Sequence, residues 1–239
     1  MSLKMPKNAM VLAAGLGKRL RPYTDETPKP LLPVGGKALI DWTLDQLKQA
    51  GVDHVVVNSF YRSEKLQAHL AKRLYPKTQI LVETELLGTG GAIHNALPSL
   101  GDTPFFVLNS NIIWISKTSP ALQRLANYWD DSRMDVLSLI VDRNDLPWYK
   151  GKGDFTLEDS DYRMKRAIGN NDTPILSAGI HLIHPRIFKN MPDGAYPMTL
   201  LLDKAGNDGR LYGLAHQGDW YSISTTQDYM SVNRLLTLE

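Results

Sequence analysis

The chain has 239 residues, a formal net charge of +2 with 22% charged residues, and no cysteine. That balance excludes a nucleic-acid-binding field and an acidic disordered tail, and the absence of thiols excludes disulfide frameworks, thiolate zinc sites and cysteine nucleophiles while suiting a reducing, cytoplasmic compartment. The length fits one sizeable domain that buries a core without cross-links, no run reaches the roughly 18 apolar residues of a membrane span, and the start lacks the apolar segment of a signal peptide. Met5 reads as the natural start, so residues 1–4 carry no weight.

In chain order, short apolar runs bounded by turn residues read as strands at 9–14, 54–58, 79–82, 104–108 and 135–141. Between them Ile40, Leu44 and Leu47 recur at helical spacing and stop at Gly51, and Leu122, Leu125 and Trp129 do the same before Asp130. This alternation predicts βαβ units and an α/β fold, an open doubly wound sheet of buried parallel strands. After about residue 142 the pieces shorten, with strands near 154–157 and 175–183 and helices near 198–205 and 225–236. No internal repeat or Gly/Ser linker divides the chain, so a single domain over 5–238 is expected.

The first strand runs into Ala13-Ala14-Gly15-Leu16-Gly17-Lys18-Arg19-Leu20-Arg21-Pro22-Tyr23-Thr24, with Pro28-Lys29-Pro30-Leu31 close behind. Glycine at the carboxyl end of a strand admits positive φ and lets backbone N–H groups approach phosphate oxygens. Lys18, Arg19, Arg21 and Lys29 add positive charge against only Asp25 and Glu26. Alone, Gly-x-Gly is equally compatible with an ordinary tight turn, and Lys29 with a solvated loop lysine, although its two flanking prolines stiffen the backbone. The segment lacks the Gly-Lys-Ser/Thr ending of a P-loop, and Leu20 replaces the third glycine of a dinucleotide fingerprint.

Taken whole, the string Ala-Ala-Gly-x-Gly-x-Arg-Leu-x-Pro-x-Thr-x-x-x-Pro-Lys-Pro-Leu resembles the signature of sugar-1-phosphate nucleotidylyltransferases. The resemblance implies a Rossmann-like, doubly wound mixed sheet, the nucleotide-diphospho-sugar transferase fold. It also implies an enzyme that takes an NTP and a sugar 1-phosphate to an NDP-sugar and pyrophosphate. By the same resemblance, Ala13, Ala14, Gly15, Gly17 and Lys18 hold the nucleotide, Arg19 grips the triphosphate and Lys29 contacts the transferred or attacking phosphate. The nucleotide-binding part would cover about 5–141 and the sugar-binding part about 142–238.

Three later blocks extend the resemblance. Glu83-Thr84-Glu85-Leu86-Leu87-Gly88-Thr89-Gly90-Gly91 opens a helix and, by chain order, matches the base- and ribose-recognition segment, which implicates Glu83, Gly88, Thr89 and Gly90; read alone it is merely a helix start. Asn109-Ser110-Asn111 follows the fourth strand, at the sheet edge where such folds hold ligands. In it Asn109 is assigned to the nucleotide and Asn111 stands where the family has an aspartate for Mg²⁺. Trp220-Tyr221-Ser222-Ile223-Ser224-Thr225 places Ser222 at the second expected aspartate. Both positions are neutral, which weakens the implied Mg²⁺ site. Asp219 stands three residues before Ser222 and so faces the other side of a strand.

For the sugar, the resemblance implicates Gly153, Ser177 and Gly179, the last two in a segment that reads equally as a buried strand whose glycine avoids a clash. His181 and His184 are spaced to opposite strand faces and read as packing or hydrogen-bonding residues rather than metal ligands. Trp114, the stretch 149–155 and the stretch 209–214 look most like bacterial N-acetylmuramate-1-phosphate uridylyltransferases of cell-wall recycling. That favours UTP and N-acetylmuramate 1-phosphate. Mannose-1-phosphate guanylyltransferase, glucose-1-phosphate thymidylyltransferase and a catalytically impaired binding homologue are the alternatives. No nucleic-acid or membrane partner is expected, and the state would be a monomer or homodimer.

Overall fold

The computed structural model describes residues 3–146, 148–149, 151–158, 161–167 and 173–237. Thirteen strands are β1 (Asn8–Leu12), β2 (Pro33–Val34), β3 (Lys37–Ala38), β4 (His54–Ser59), β5 (Lys77–Val82), β6 (Phe105–Asn109), β7 (Ile112–Ser116), β8 (Val136–Asp142), β9 (Phe155–Leu157), β10 (Met164–Arg166), β11 (Ile175–Ile183), β12 (Leu211–Ala215) and β13 (Gly218–Ser222). Six helices accompany them: α1 (Leu39–Gln49), α2 (Ser63–Leu70), α3 (Gly88–Leu100), α4 (Ala121–Tyr128), α5 (Thr199–Asn207) and α6 (Thr226–Thr237).

Among the described residues nine strands form one mixed sheet in which β6, β1, β4 and β5 run parallel and β11 runs antiparallel to β6. The apolar runs are continuous because both faces are covered. Ala9 and Val11 belong to one core with Leu44, Val57, Leu66 and Leu125, while Met10 and Leu12 belong to another with Val56, Ile93, Val107 and Leu201. Successive side chains on a strand point to opposite faces, so a strand between two helical layers must be apolar at every position.

Three expectations change. The strand expected at 135–141 does not join the parallel set: β8 is separated from it by β11, pairing antiparallel with β11 and parallel with β12. The strand expected at 79–82 is not buried: β5 is an edge strand, half-exposed along most of its length. The first strand stops at Leu12 rather than residue 14, because the Ala13 N–H leaves the ladder and donates to Asn58 Oδ1 at 2.8 Å.

β7 and β13 pair antiparallel in a small separate sheet, with Ser222 opposite Ile112. That pairing bridges a hundred residues of sequence and brings position 111 against 222–224. Among the described residues no helix is long and apolar enough to cross a membrane.

Candidate active site

The carboxyl ends of β1, β4 and β6, with the segment after β5, open into a cavity of about 400 Å³. Ala13, Ala14, Gly15, Arg19, Lys29, Glu83, Gly88, Thr89, Asn109 and Asn111 line it, the larger part of the nucleotide set expected from sequence. A second cavity of about 610 Å³ is lined by Trp148, Asp154, Ser177, Gly179, Trp220, Ser222 and Asp228. Arg19, Asn109, Asn111 and Ser224 line both. The two cavities therefore form one cleft with a shared, polar junction.

Gly17, Lys18, Gly90 and Gly153 line neither cavity. Gly17, at φ 64°, shapes the loop: its carbonyl accepts from Thr24 Oγ1 at 2.9 Å and from the Leu20 N–H at 2.8 Å. Lys18 is exposed beside the cleft. Gly90 is needed for packing, since a Cβ there would meet the Tyr196 ring at 2.5 Å and its N–H donates to the Tyr196 carbonyl. Gly153 sits against the Thr173 carbonyl in the same manner.

Two buried polar side chains fix the floor of the first cavity. Asn58, at the end of β4, accepts from Ala13 N and donates from Nδ2 to Glu83 Oε1 at 2.7 Å. The other Glu83 oxygen accepts from the Leu87 N–H at 3.3 Å, so Glu83 holds the loop that leads into α3. Asn58 was missed in the sequence, although an amide ending the apolar run His54-Val55-Val56-Val57 was a usable signal.

Lys29 begins a short turn at Lys29–Leu31, held between Pro28 and Pro30. Burial, and after it the Arg19 guanidinium, push the Lys29 ammonium down to about 8, while Asp228 opposes the shift. Asp228 closes a capping box at the start of α6: its Oδ2 accepts from the Ser224 and Thr225 N–H groups at 2.9 and 2.8 Å, and its own N–H donates to Thr225 Oγ1. Asp228 was missed as a residue of the site; the Thr225-x-x-Asp228 spacing is a capping signal and carries no sign of the cleft.

At the junction, Asn111 Nδ2 donates to the Ile223 carbonyl at 3.2 Å and lies 3.4 Å from Ser224 Oγ and 3.5 Å from Ser222 Oγ. A carbonyl only accepts, so the amide nitrogen must face it. Asp219 points away and takes Lys117 Nζ at 2.8 Å. Among the described residues no group of three or more His, Cys, Asp or Glu could hold a metal ion. His181 is fully buried beside Ser138 Oγ at 2.8 Å, its imidazole pushed down to about 4 by burial, and His184 accepts from the Arg186 N–H.

In the second cavity Asp154 Oδ2 accepts from the Ser177 N–H at 2.8 Å, and burial raises its carboxyl above the usual range. Gly179 sits in a bulge of β11 at φ 71°, where a Cβ would meet Asn109 Nδ2 at 2.7 Å. Trp148 stacks on Trp220 with ring centroids 6.0 Å apart, and Trp220 Nε1 donates to the Ala178 carbonyl. Asp154 and Trp148 stand in or beside a stretch singled out in the sequence, yet neither was assigned. Lys150, in that stretch, lies outside the described residues.

Residues 8–149 match the family model described as nucleotidyl transferase. The chain is 40% identical over 228 residues, 93% of each chain, to a protein named N-acetylmuramate alpha-1-phosphate uridylyltransferase from Caulobacter vibrioides. It is 33% identical to the Neisseria meningitidis serogroup B protein of the same name, over 91% of this chain and 93% of that one. Among solved structures, the inositol-1-phosphate CTP transferase from T. maritima superposes with a TM-score of 0.80 at 18% identity, covering 98% of this chain and 96% of that one.

Proposed function

Because the chain belongs to the nucleotidyl transferase family, and so is a nucleotidyltransferase, we propose that it joins UTP to N-acetylmuramate 1-phosphate, giving UDP-N-acetylmuramate and pyrophosphate. One observation carries the reading of the cleft: the two cavities meet at Arg19, Asn109, Asn111 and Ser224, so groups bound in each face one another across shared side chains. The choice of UTP and of a muramate is supported by the names of the two relatives. With it go a cytoplasmic place in cell-wall recycling, a nucleotide-binding part over about 5–141 and a sugar-binding part over about 142–238. A monomer or homodimer without nucleic-acid or membrane partners completes the proposal.

An oxygen of the sugar phosphate attacks the α-phosphorus in line, the bond to the bridging oxygen breaks, and pyrophosphate leaves. A phosphate monoester is already largely dianionic near neutral pH, so the attacking oxygen needs no general base. Positioning and charge neutralisation therefore dominate. Arg19 at the junction and Lys29 in the first cavity supply positive charge, the Ala13 to Gly15 backbone takes the nucleotide, and Asp154, Ser177 and Gly179 take the sugar. Asn58 and Glu83 act behind them by fixing the floor. The family resemblance implies Mg²⁺, but Asn111, Ser222 and Ser224 provide no anionic ligand for a protein-held ion.

That neutral set favours a second reading, a homologue that binds both substrates with little turnover. Pyrophosphate release with UTP and N-acetylmuramate 1-phosphate, beside GTP with mannose 1-phosphate and dTTP with glucose 1-phosphate, separates the cases. The first pair should give the highest kcat/KM. A faster control pair overturns the substrate assignment, and UTP-dependent thermal stabilisation without pyrophosphate release favours the binding homologue.

A further inference from the structure

The junction of the cleft carries an unusual distribution of charge. Three carboxylates line the two cavities, Glu83, Asp154 and Asp228; Glu83 accepts through both oxygens, Asp154 and Asp228 through Oδ2 alone. Glu83 is held by Asn58 and the Leu87 N–H, Asp154 by the Ser177 N–H, and Asp228 by the Ser224 and Thr225 N–H groups. Against them stand the side chains of Arg19 and Lys29. Where β7 and β13 bring positions 111 and 222–224 together, the groups offered are one amide and two hydroxyls.

A hard divalent cation selects anionic oxygen, and neutral oxygens beside two cationic side chains are a poor site for one. The same groups suit an anion. Asn111 Nδ2 gives one hydrogen to the Ile223 carbonyl and directs the other at the Ser224 and Ser222 hydroxyls at 3.4 and 3.5 Å, and those hydroxyls lie 3.4 Å from each other; contacts this long leave the donors able to turn toward a stronger acceptor. On the reading of the cleft as a nucleotide site, we infer that this chain binds its nucleoside triphosphate with no divalent cation held by the protein, the Asn111, Ser222 and Ser224 cluster donating hydrogen bonds to phosphate oxygens while Arg19 and Lys29 neutralise their charge. A cation that arrives chelated by the phosphates belongs to the nucleotide and gains no ligand from the chain.

Calorimetric titration of UTP into the intact protein, once in excess EDTA and once in excess MgCl₂, tests this together with Mn²⁺ binding to the nucleotide-free protein followed by electron paramagnetic resonance. UTP should bind at least as tightly in EDTA as in MgCl₂, and the protein alone should leave Mn²⁺ free. The paired variant Asn111→Asp, Ser222→Asp should invert both results. Its metal-free UTP affinity should fall about tenfold or more, because like charges are placed against the phosphates, and it should bind Mn²⁺.

Ser224→Ala leaves both positions unchanged and covers the case in which the charged pair fails to fold; it should lower UTP affinity in EDTA severalfold. Mn²⁺ bound by the unaltered protein, UTP affinity that requires Mg²⁺, or full UTP affinity in Ser224→Ala overturns the assignment. UTP binding under neither condition overturns instead the nucleotide reading on which it rests.

Discussion

On the nucleotide side of the cleft, most lining residues sit in the segments that follow parallel strands, and a single stretch of sequence, 12–30, supplies much of the wall. On the sugar side, residues come from β11, from the segment before β9 and from the run that joins β13 to the start of α6, three pieces well separated in the chain. A parallel sheet aligns its strand ends by hydrogen-bond register, so a motif after one strand announces where the site lies. The antiparallel additions at β11 and β13 have no such rule. Their contribution depends on pairings such as Ser222 with Ile112.

Five measurements test that contrast. Lys29→Ala should lower kcat about 10²-fold or more, the scale for one lost transition-state charge contact, and unchanged pyrophosphate release would remove Lys29 from the chemistry. Asn58→Leu should cost about 2 kcal/mol in urea unfolding, because Ala13 N and the Glu83 carboxylate lose a partner in a buried site. It should also raise KM for the nucleotide more than for the sugar phosphate, whereas equal changes would show that the floor serves both sides.

On the other side, Gly179→Ala should cost about 1.5 kcal/mol, since the residue is left-handed and a Cβ would press on Asn109. Wild-type stability in that variant would mean the bulge relaxes freely. Trp148→Ala should raise KM for the sugar phosphate about fivefold, through loss of an aromatic face worth ~1 kcal/mol, and leave KM for UTP unchanged; a shift in UTP alone would move Trp148 to the nucleotide side.

The smallest effect is a proton. Lys29 titrates near 8 in the free protein, and a bound polyanion favours its charged form, so UTP binding above that pH should take up a fraction of a proton. The sign follows because binding raises the pKa, and uptake is greatest between the free and bound values. Titration in buffers of different ionisation enthalpy measures it, and Lys29→Ala should abolish it. Folding shows the converse linkage. The unfolded lysine keeps its ordinary value of 10.5, so between about 8 and 10.5 the unfolded state binds more protons, and this group's contribution makes stability rise with pH.

What could be read in the sequence cut across that divide. The central strands stood out because burial on both faces makes every position apolar, and the long strand at 175–183 emerged with the bounds it has in the structure. β7, only five residues long, escaped because its partner lies about a hundred residues away. Lys18 and Gly153 entered the expected site from their motifs, yet the fold leaves one on the surface and packs the other against Thr173. Asn58 and Asp154 went the opposite way: the amide that closes the apolar run of β4 marks a position, but what each residue does there depends on a partner distant in the chain, Ala13 and Glu83 for Asn58 and Ser177 for Asp154.

By itself, the sequence determined the βαβ order, the cationic glycine loop after β1 and the neutral identity of Asn111 and Ser222, because periodicity, turn chemistry and residue type are properties of short segments. Tertiary structure alone decided that β8 stands apart from the parallel strands, that Asn58 holds Ala13 to Glu83, and that two cavities share one junction at Arg19, Asn109, Asn111 and Ser224. Those facts rest on which distant groups satisfy one another's hydrogen bonds, and strand pairing in space sets that.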